Sequence, residues 1–189
     1  KRKSFTHLRD FISKSRQIQR SADFRPEKLF NDLCAAYPHA MVFYWQLPGV
    51  GSWLGATPEI LMSERNGRIS TLSLAGTQVV GTTGAEDASW GVKEIAEQAF
   101  VSRYIVQLLD KLGVEDMVID GPKNFVAGNL VHLATEFEFD ADQLRVSRGR
   151  FAAALYPTPA IAGLPRDESL RYIRSSEGYN RSYYSGLAG

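Results

Sequence analysis

Residues 90–113 read WGVKEIAEQAFVSRYIVQLLDKLG, and this stretch carries the longest helical pattern in the chain. Its apolar side chains recur at steps of three and four residues, which is the period of one helix face. They are Val101, Tyr104, Ile105, Leu108 and Leu112. Gly113 comes next and is expected to end the helix, because glycine readily adopts the left-handed conformation that follows a helix. The spacing predicts one long amphipathic helix from about Trp90 to Leu112.

The segments on both sides of this helix have strand character. Two predicted hairpins precede it, one across a Pro-Gly turn and one across Asn66-Gly67, which is a strong turn signal. Further upstream the pattern predicts a strand at residues 11–18 and a short helix that begins around residues 25–27. Residues 116–139 return to strand character, and short helices flank residues 156–165. Strands, then a helix, then more strands and helices favour an α+β fold.

Composition limits the classes of function. The 189 residues include 22 Lys plus Arg against 21 Asp plus Glu, so no excess of positive charge favours nucleic-acid binding. No apolar run approaches the roughly 18 to 20 residues that span a bilayer. We therefore expect a single cytoplasmic domain over residues 1–189, without nucleic-acid or membrane partners. The one cysteine, Cys34, is expected in the core, and the cysteine count makes a zinc site improbable.

Two carboxylates are candidates for chemistry. Steps of four and seven residues lead from Glu97 to Val101 and Tyr104, which places Glu97 on the apolar face of the predicted helix. A buried carboxylate there needs a cation, whereas the alternative is a surface pair with Lys93. Glu59 follows Thr57-Pro58 at the junction of two predicted strands. It is either a general acid or an ordinary turn residue.

Three further positions have two interpretations each. Gly76 allows close approach of the backbone to a ligand, or it simply ends a strand. His132 is either a core histidine or a catalytic one. Arg181 offers a planar fork for a carboxylate, or it is solvated. These residue types are consistent with an anionic small molecule and an oxygen-coordinated divalent cation such as Mg²⁺.

The order of the motifs adds a family resemblance. The chain contains LGATPE at 54–59, LAGT at 74–77, Glu97-Gln98, HLAT at 132–135, YPTPA at 156–160 and RSYYSG at 181–186. This series resembles the chorismate-binding enzymes over about residues 11–189. The resemblance implies the anthranilate synthase component I-like fold, with helices packed on mostly antiparallel sheets. The PTPA segment is similar to that of isochorismate synthases and their salicylate-forming relatives.

The resemblance also implies a reaction and its residues. Water adds to the chorismate ring while the ring hydroxyl leaves, with Mg²⁺ on a substrate carboxylate. Glu59 matches the general acid, and Glu97 matches a metal carboxylate. The matched substrate-binding residues are Ala75, Gly76, His132, Ala160 and Arg181. The family's general base is a lysine on the first strand, and Lys14 is the lysine nearest that position.

The sequence departs from the family pattern in three places. Counting back from Ser15-Arg16 to the position of the base reaches Phe11, and a shift of two residues reaches Arg9. Tyr156 stands where a histidine commonly precedes PTPA. The C-terminal segment that supplies a second metal glutamate and a substrate lysine is expected to be missing, so the fold is expected to be incomplete.

These departures keep alternatives open. The favoured interpretation is an isochorismate synthase, and the second is a catalytically incomplete chorismate-binding remnant. The third is a component I of anthranilate or aminodeoxychorismate synthase, and the PTPA segment disfavours this third interpretation. The sequence leaves open the oligomeric state. It also leaves open whether the product feeds menaquinone, siderophore or salicylate synthesis.

Overall fold

A computed structural model describes residues 19–57, 59–80, 84, 86–127, 130–163 and 165–177. These residues fall into two compact units, which we call the hairpin unit (residues 19–59) and the sheet unit (residues 60–177). The strand predicted at residues 11–18 lies outside the described residues. The rest of the predicted order of helices and strands is confirmed, and the fold is α+β with antiparallel sheets.

The hairpin unit consists of one helix and two paired strands. Helix α1 covers Pro26–Ala36, and strands β1 (Met41–Leu47) and β2 (Gly51–Thr57) pair antiparallel. Proline suits the first helical turn because its missing N–H would have no partner there. Trp45 lies opposite Trp53, and the two rings stack with centroids 5.8 Å apart. No residue of α1 is buried, and Cys34 is exposed, so the prediction that Cys34 is a core residue is wrong.

The sheet unit is built on four antiparallel strands in the order β3-β4-β6-β5. The strands are β3 (Ser63–Arg65), β4 (Arg68–Val79), β5 (Met117–Ala127) and β6 (Leu130–Asp140). The helices are α2 (Val92–Lys111), α3 (Arg148–Leu155), α4 (Pro159–Ala162) and α5 (Arg166–Ser176), with a 3-10 turn at Ala141–Gln143. Among the described residues, no helix combines the length and apolar character needed to cross a membrane.

The core of the sheet unit lies between one face of the sheet and α2. Alternation along β4 and β6 sends Ile69, Phe137 and Phe139 to this face. Helix α2 supplies Ile105 and other aliphatic side chains, and these core residues are essentially inaccessible to solvent. Phe151 of α3 meets Phe139 edge to face, with ring centroids 5.8 Å apart. This packing holds α2 across the central strands, and the strand ends beyond it carry several of the predicted site residues.

Two irregularities interrupt the sheet near those residues. The register of β4 against β6 shifts between Ala75 and Gln78, and the register of β5 against β6 shifts between Asp120 and Lys123. Such bulges bend a strand and change where its side chains point. The first one contains Gly76 and lies beside His132.

Candidate functional site

The bulge in β4 brings two of the sequence motifs together. His132 of β6 is half-buried, and its Nδ1 atom lies 3.2 Å from the carbonyl oxygen of Gly76 and 3.1 Å from Oγ1 of Thr77. The LAGT and HLAT segments are therefore in contact through side chain and backbone, although 56 residues separate His132 from Gly76.

Gly76 is closely covered by a tryptophan. Its φ is +69°, and a Cβ atom at this position would lie 2.6 Å from the ring of Trp90 and 3.2 Å from the side chain of Glu94. Trp90 Nε1 donates to Oδ1 of Asn124 at 2.7 Å, which fixes the indole in place. Among the described residues, the ring of Trp90 therefore occupies the space that a side chain at position 76 would need. The sequence did not identify Trp90 as a partner of Gly76.

Helix α2 packs on the core with the apolar face that the sequence predicted, since Val101 and Ile105 are buried and Tyr104, Leu108 and Leu112 pack against the core. The buried line runs through Gln98, Val101, Ile105 and Leu109, whereas Glu97 is half-buried at its edge. The full burial expected for Glu97 is not observed, and its neighbour Gln98 takes the buried position instead. Steps of three and seven residues back from Val101 and Ile105 both lead to Gln98, and this signal could have identified it. Glu97 makes an interaction of its own, so it is not an isolated charge.

Gln98 ties α2 to both central strands. Its Nε2 atom lies 2.7 Å from Oγ and 3.2 Å from the carbonyl oxygen of Ser73 in β4. The same nitrogen lies 2.9 Å from Oγ1 of Thr135 in β6. Gln98 is only 2% exposed, and its Oε1 atom has no hydrogen-bond partner within the described part of the chain.

An arginine holds the YPTPA segment. Arg166 donates from Nη2 to the carbonyl oxygen of Tyr156 at 2.6 Å, and from Nε to that of Pro157 at 3.2 Å. The segment turns between α3 and α4, and Ala160 lies in α4. Sequence reasoning did not single out Arg166, because only the fold brings it back to a turn about ten residues earlier.

Lys123 lies on β5 beside two acidic residues. It forms an ion pair with Asp120, and its Nζ atom is 3.7 Å from the carboxylate of Glu136. The hydrogen bond to Asp120, followed by the charges of Asp120 and Glu136, raises the pKa of Lys123 above its ordinary value. Lys123 therefore stays protonated at neutral pH and is a poor proton acceptor.

The other predicted site residues make few or no described contacts with these motifs. Glu59 is exposed, and its backbone N–H donates to Oγ1 of Thr57 at 3.3 Å. Lys14 and Arg181 lie outside the described residues. Ala75 is half-buried at the last regular position before the β4 bulge. The roles of all these residues stay predictions.

The described residues can supply part of a magnesium site. Among them, no three His, Cys, Asp or Glu side chains form a group that could enclose a metal ion. Mg²⁺ usually keeps several waters and takes only one or two protein carboxylates, together with oxygen atoms of its substrate. The carboxylate of Glu97 fits that requirement as a single ligand, and its half-buried position leaves it partly open to solvent.

Comparison with known sequences defines the class of protein. The family of chorismate binding enzymes matches residues 11–189, and the chain belongs to this family. This is the family that the order of the sequence motifs had indicated.

Two relatives within this family have isochorismate synthase in their names. The chain is 31% identical, over 92% of its length, to the salicylate biosynthesis isochorismate synthase of Pseudomonas aeruginosa, and it spans 37% of that protein. It is 24% identical, over 94% of its length, to the vibriobactin-specific isochorismate synthase of Vibrio cholerae, and it spans 47% of that protein. The chain thus spans less than half the length of these curated relatives.

The fold agrees with solved structures. The structure of MenF, the menaquinone-specific isochorismate synthase of Escherichia coli, matches 83% of the chain with a TM-score of 0.67 and 25% identity, and the match covers 38% of MenF. Anthranilate synthase component I of Streptococcus pneumoniae shares the fold with the same TM-score and 20% identity. The predicted anthranilate synthase component I-like α+β fold is confirmed.

Proposed function

We propose that this chain is the chorismate-binding part of an isochorismate synthase that converts chorismate to isochorismate with Mg²⁺. The structural observation that carries the proposal is the contact of His132 with Gly76 and Thr77, which joins two family motifs at one end of the sheet. The similarity of the chain to several isochorismate synthases and the PTPA segment support the choice of reaction within the family.

The proposed reaction exchanges one hydroxyl of the chorismate ring for another. A water oxygen forms a bond to a ring carbon, and the proton that this water loses goes to the amine of Lys14. The ring double bonds shift from the attacked carbon towards the carbon that carries the original hydroxyl, and the bond to that hydroxyl breaks. The carboxyl group of Glu59 protonates the hydroxyl so that it leaves as water. One water enters and one leaves, so the reaction is an isomerisation.

The other predicted residues bind and orient the substrate. Arg181 holds a substrate carboxylate through two parallel hydrogen bonds, as the guanidinium geometry favours. The backbone at Ala75 and Gly76, together with His132 and Ala160, lines the ring. Glu97 would supply a carboxylate ligand to Mg²⁺. The bound ion would neutralise a substrate carboxylate and so reduce the cost of bringing a dianion into the site.

The test is a product assay with matched glutamate variants. The protein is incubated with chorismate with and without MgCl₂, and the products are separated by chromatography. We expect isochorismate from the wild-type chain, its loss in Glu59→Gln, and its retention in Glu27→Gln, which changes an exposed glutamate of α1. Chelation by EDTA should abolish product formation if Mg²⁺ is required.

Three other outcomes of this assay would contradict the proposal. Saturable chorismate binding without turnover would identify a catalytically incomplete remnant. Anthranilate formed in the presence of ammonia would identify an amination component. No binding of chorismate at all would overturn both the reaction and the substrate.

A further inference from the structure

We propose that Gln98 is a positioning residue, which fixes the turn of α2 that carries Glu97 against the two strands that carry Gly76 and His132. This inference rests on the proposed function, because it assigns Gln98 to the assembly of that site. It comes from the hydrogen bonds of one buried amide and from the acceptor atom of the same amide, which has no partner among the described residues.

The amide of Gln98 connects three elements at one point. Ser73 on β4 and Thr135 on β6 are paired in adjacent strands. The hydroxyl oxygens of both residues accept hydrogen bonds from the Nε2 atom of Gln98. Ser73 Oγ also lies 2.9 Å from Oγ of Ser102, one helical turn after Gln98. All three residues that meet at the amide, namely Gln98, Ser73 and Thr135, are no more than 3% exposed.

The orientation of the amide follows from its partners. The carbonyl oxygen of Ser73 can only accept a hydrogen bond, so the group 3.2 Å from it must be the NH₂ of Gln98. Oε1 consequently faces away from the strands, and it has no partner among the described residues. The strand contacts thus determine which way the side chain points.

Because Oε1 has no partner in the described part of the chain, a purely stabilising role for Gln98 is disfavoured. A buried polar atom without a partner lowers the net stability that the side chain can contribute, and an apolar side chain of similar volume avoids that cost. An amide at this position is better explained by the geometry it imposes. Its two N–H groups define the helix position along the strands, whereas an aliphatic side chain would allow the helix to slide or rotate.

Each site residue lies within a few positions of this anchor. Glu97 is the neighbour of Gln98 on α2, Gly76 follows Ser73 by three residues, and His132 precedes Thr135 by three residues. A small displacement of α2 relative to the strands would therefore change the distance from Glu97 to both motifs. Gln98 acts through these residues and does not itself touch substrate in this proposal.

The experiment compares three variants of the full chain. Gln98→Met removes the amide and keeps an unbranched side chain of similar size. Gln98→His replaces the amide N–H by a ring N–H donor near the position of Nε2. Tyr104→Phe is the control, because it removes another hydrogen bond of α2, the one from the Tyr104 hydroxyl to the carbonyl oxygen of Ala154 at 3.1 Å, on a different side of the helix.

Two measurements are made on each variant at a temperature where circular dichroism shows it to be folded. The first is the ¹H–¹⁵N spectrum without ligand, in which the amide signals of Glu97, Gly76 and His132 report the local geometry. The second is the Kd for chorismate in the presence of MgCl₂, measured by titration calorimetry. We expect Gln98→Met to shift or broaden those three signals and to raise the Kd by about 10-fold to 100-fold.

Gln98→His should return both readouts towards wild type, and Tyr104→Phe should leave both near wild type. Unchanged Gly76 and His132 signals in Gln98→Met would overturn the inference. The same pattern in Gln98→Met and Tyr104→Phe would also overturn it, because the effect would then be general loosening of α2. A wild-type chain that does not bind chorismate would contradict the proposed function, and the amide signals alone would still decide the role of Gln98.

Discussion

The Nδ1 atom of His132 lies 3.2 Å from the carbonyl oxygen of Gly76, and this contact favours the tautomer with its proton on Nδ1. A carbonyl oxygen has no hydrogen to donate, so a hydrogen bond between these atoms requires an N–H at Nδ1. Thr77 Oγ1, at 3.1 Å from the same nitrogen, can share that hydrogen. In the neutral ring, Nε2 is then the nitrogen with the free lone pair.

This relationship predicts a specific tautomer. We expect ¹⁵N chemical shifts of the His132 ring at alkaline pH to show a protonated Nδ1 and an unprotonated Nε2. The signals can be assigned by comparison with the His132→Gln variant, in which they disappear. A neutral ring with its proton on Nε2 would contradict the hydrogen bond to Gly76.

A second prediction concerns the space at Gly76. Gly76→Ala should destabilise the sheet unit by about 2 to 4 kcal/mol, because it combines a strained positive φ with a Cβ atom forced against the ring of Trp90. The free energy of unfolding in urea measures the effect.

Gly149→Ala is the matched control for this substitution. Gly149 lies in α3, and a Cβ atom there would meet nothing within 4 Å. Because alanine favours the helix over glycine, Gly149→Ala should stabilise the protein by up to about 1 kcal/mol. Equal effects of the two substitutions would show that Trp90 does not constrain Gly76.

The local elements of this fold could be predicted from the sequence because local signals specify them. The Asn66-Gly67 turn has positive φ at both residues, 51° and 76°, which is the conformation that this dipeptide favours. The period of apolar residues gave the bounds of α2 to within two residues of Val92–Lys111. In both cases the information lies within a few residues of the feature.

The contacts of the site could not be predicted in the same way. The residue of α2 that is most deeply buried depends on where the sheet packs, so the periodicity of the sequence pointed to Glu97, whereas the structure buries its neighbour Gln98. The partner of His132 depends on the β4 bulge, and the arginine on the YPTPA turn depends on how α5 returns to α3. These are tertiary relationships, and the sequence indicated only the motifs that they connect.

A third prediction follows from the ion pair that joins β3 to α3. Arg148 donates from Nε and Nη2 to the two carboxylate oxygens of Glu64, at 2.8 and 3.0 Å. This hydrogen bonding lowers the pKa of Glu64 below its ordinary value and raises that of Arg148. The stability it contributes is fully present above the pKa of an unfolded glutamate, about 4.3, and it is lost as the pH falls through the lower folded pKa.

The measurement is the urea midpoint as a function of pH in wild type and in Glu64→Gln. Wild type should become less stable as the pH falls from 5 towards 2. The stability of Glu64→Gln should fall by less over the same range. Lys28→Gln is the control, because it removes a cation from a separate exposed pair with Asp32 on α1. A pH dependence that is identical in wild type and Glu64→Gln would show that the pair contributes nothing.

The final prediction distinguishes two lysines as proton acceptors in the proposed reaction. A general base must be able to lose its proton near the working pH, and positioned general bases accelerate such steps by about 10²-fold to 10⁴-fold. Lys123 does not meet this condition, because its hydrogen bond to Asp120 and the nearby Glu136 raise its pKa. Lys14→Gln should therefore reduce the rate of isochorismate formation by about 10²-fold or more, whereas Lys123→Gln should leave kcat close to wild type.

The rates are measured at saturating chorismate and Mg²⁺, so that changes in binding do not enter kcat. Normal turnover in Lys14→Gln together with a large loss in Lys123→Gln would reverse the assignment, and it would require the site to suppress the effect of both carboxylates on Lys123.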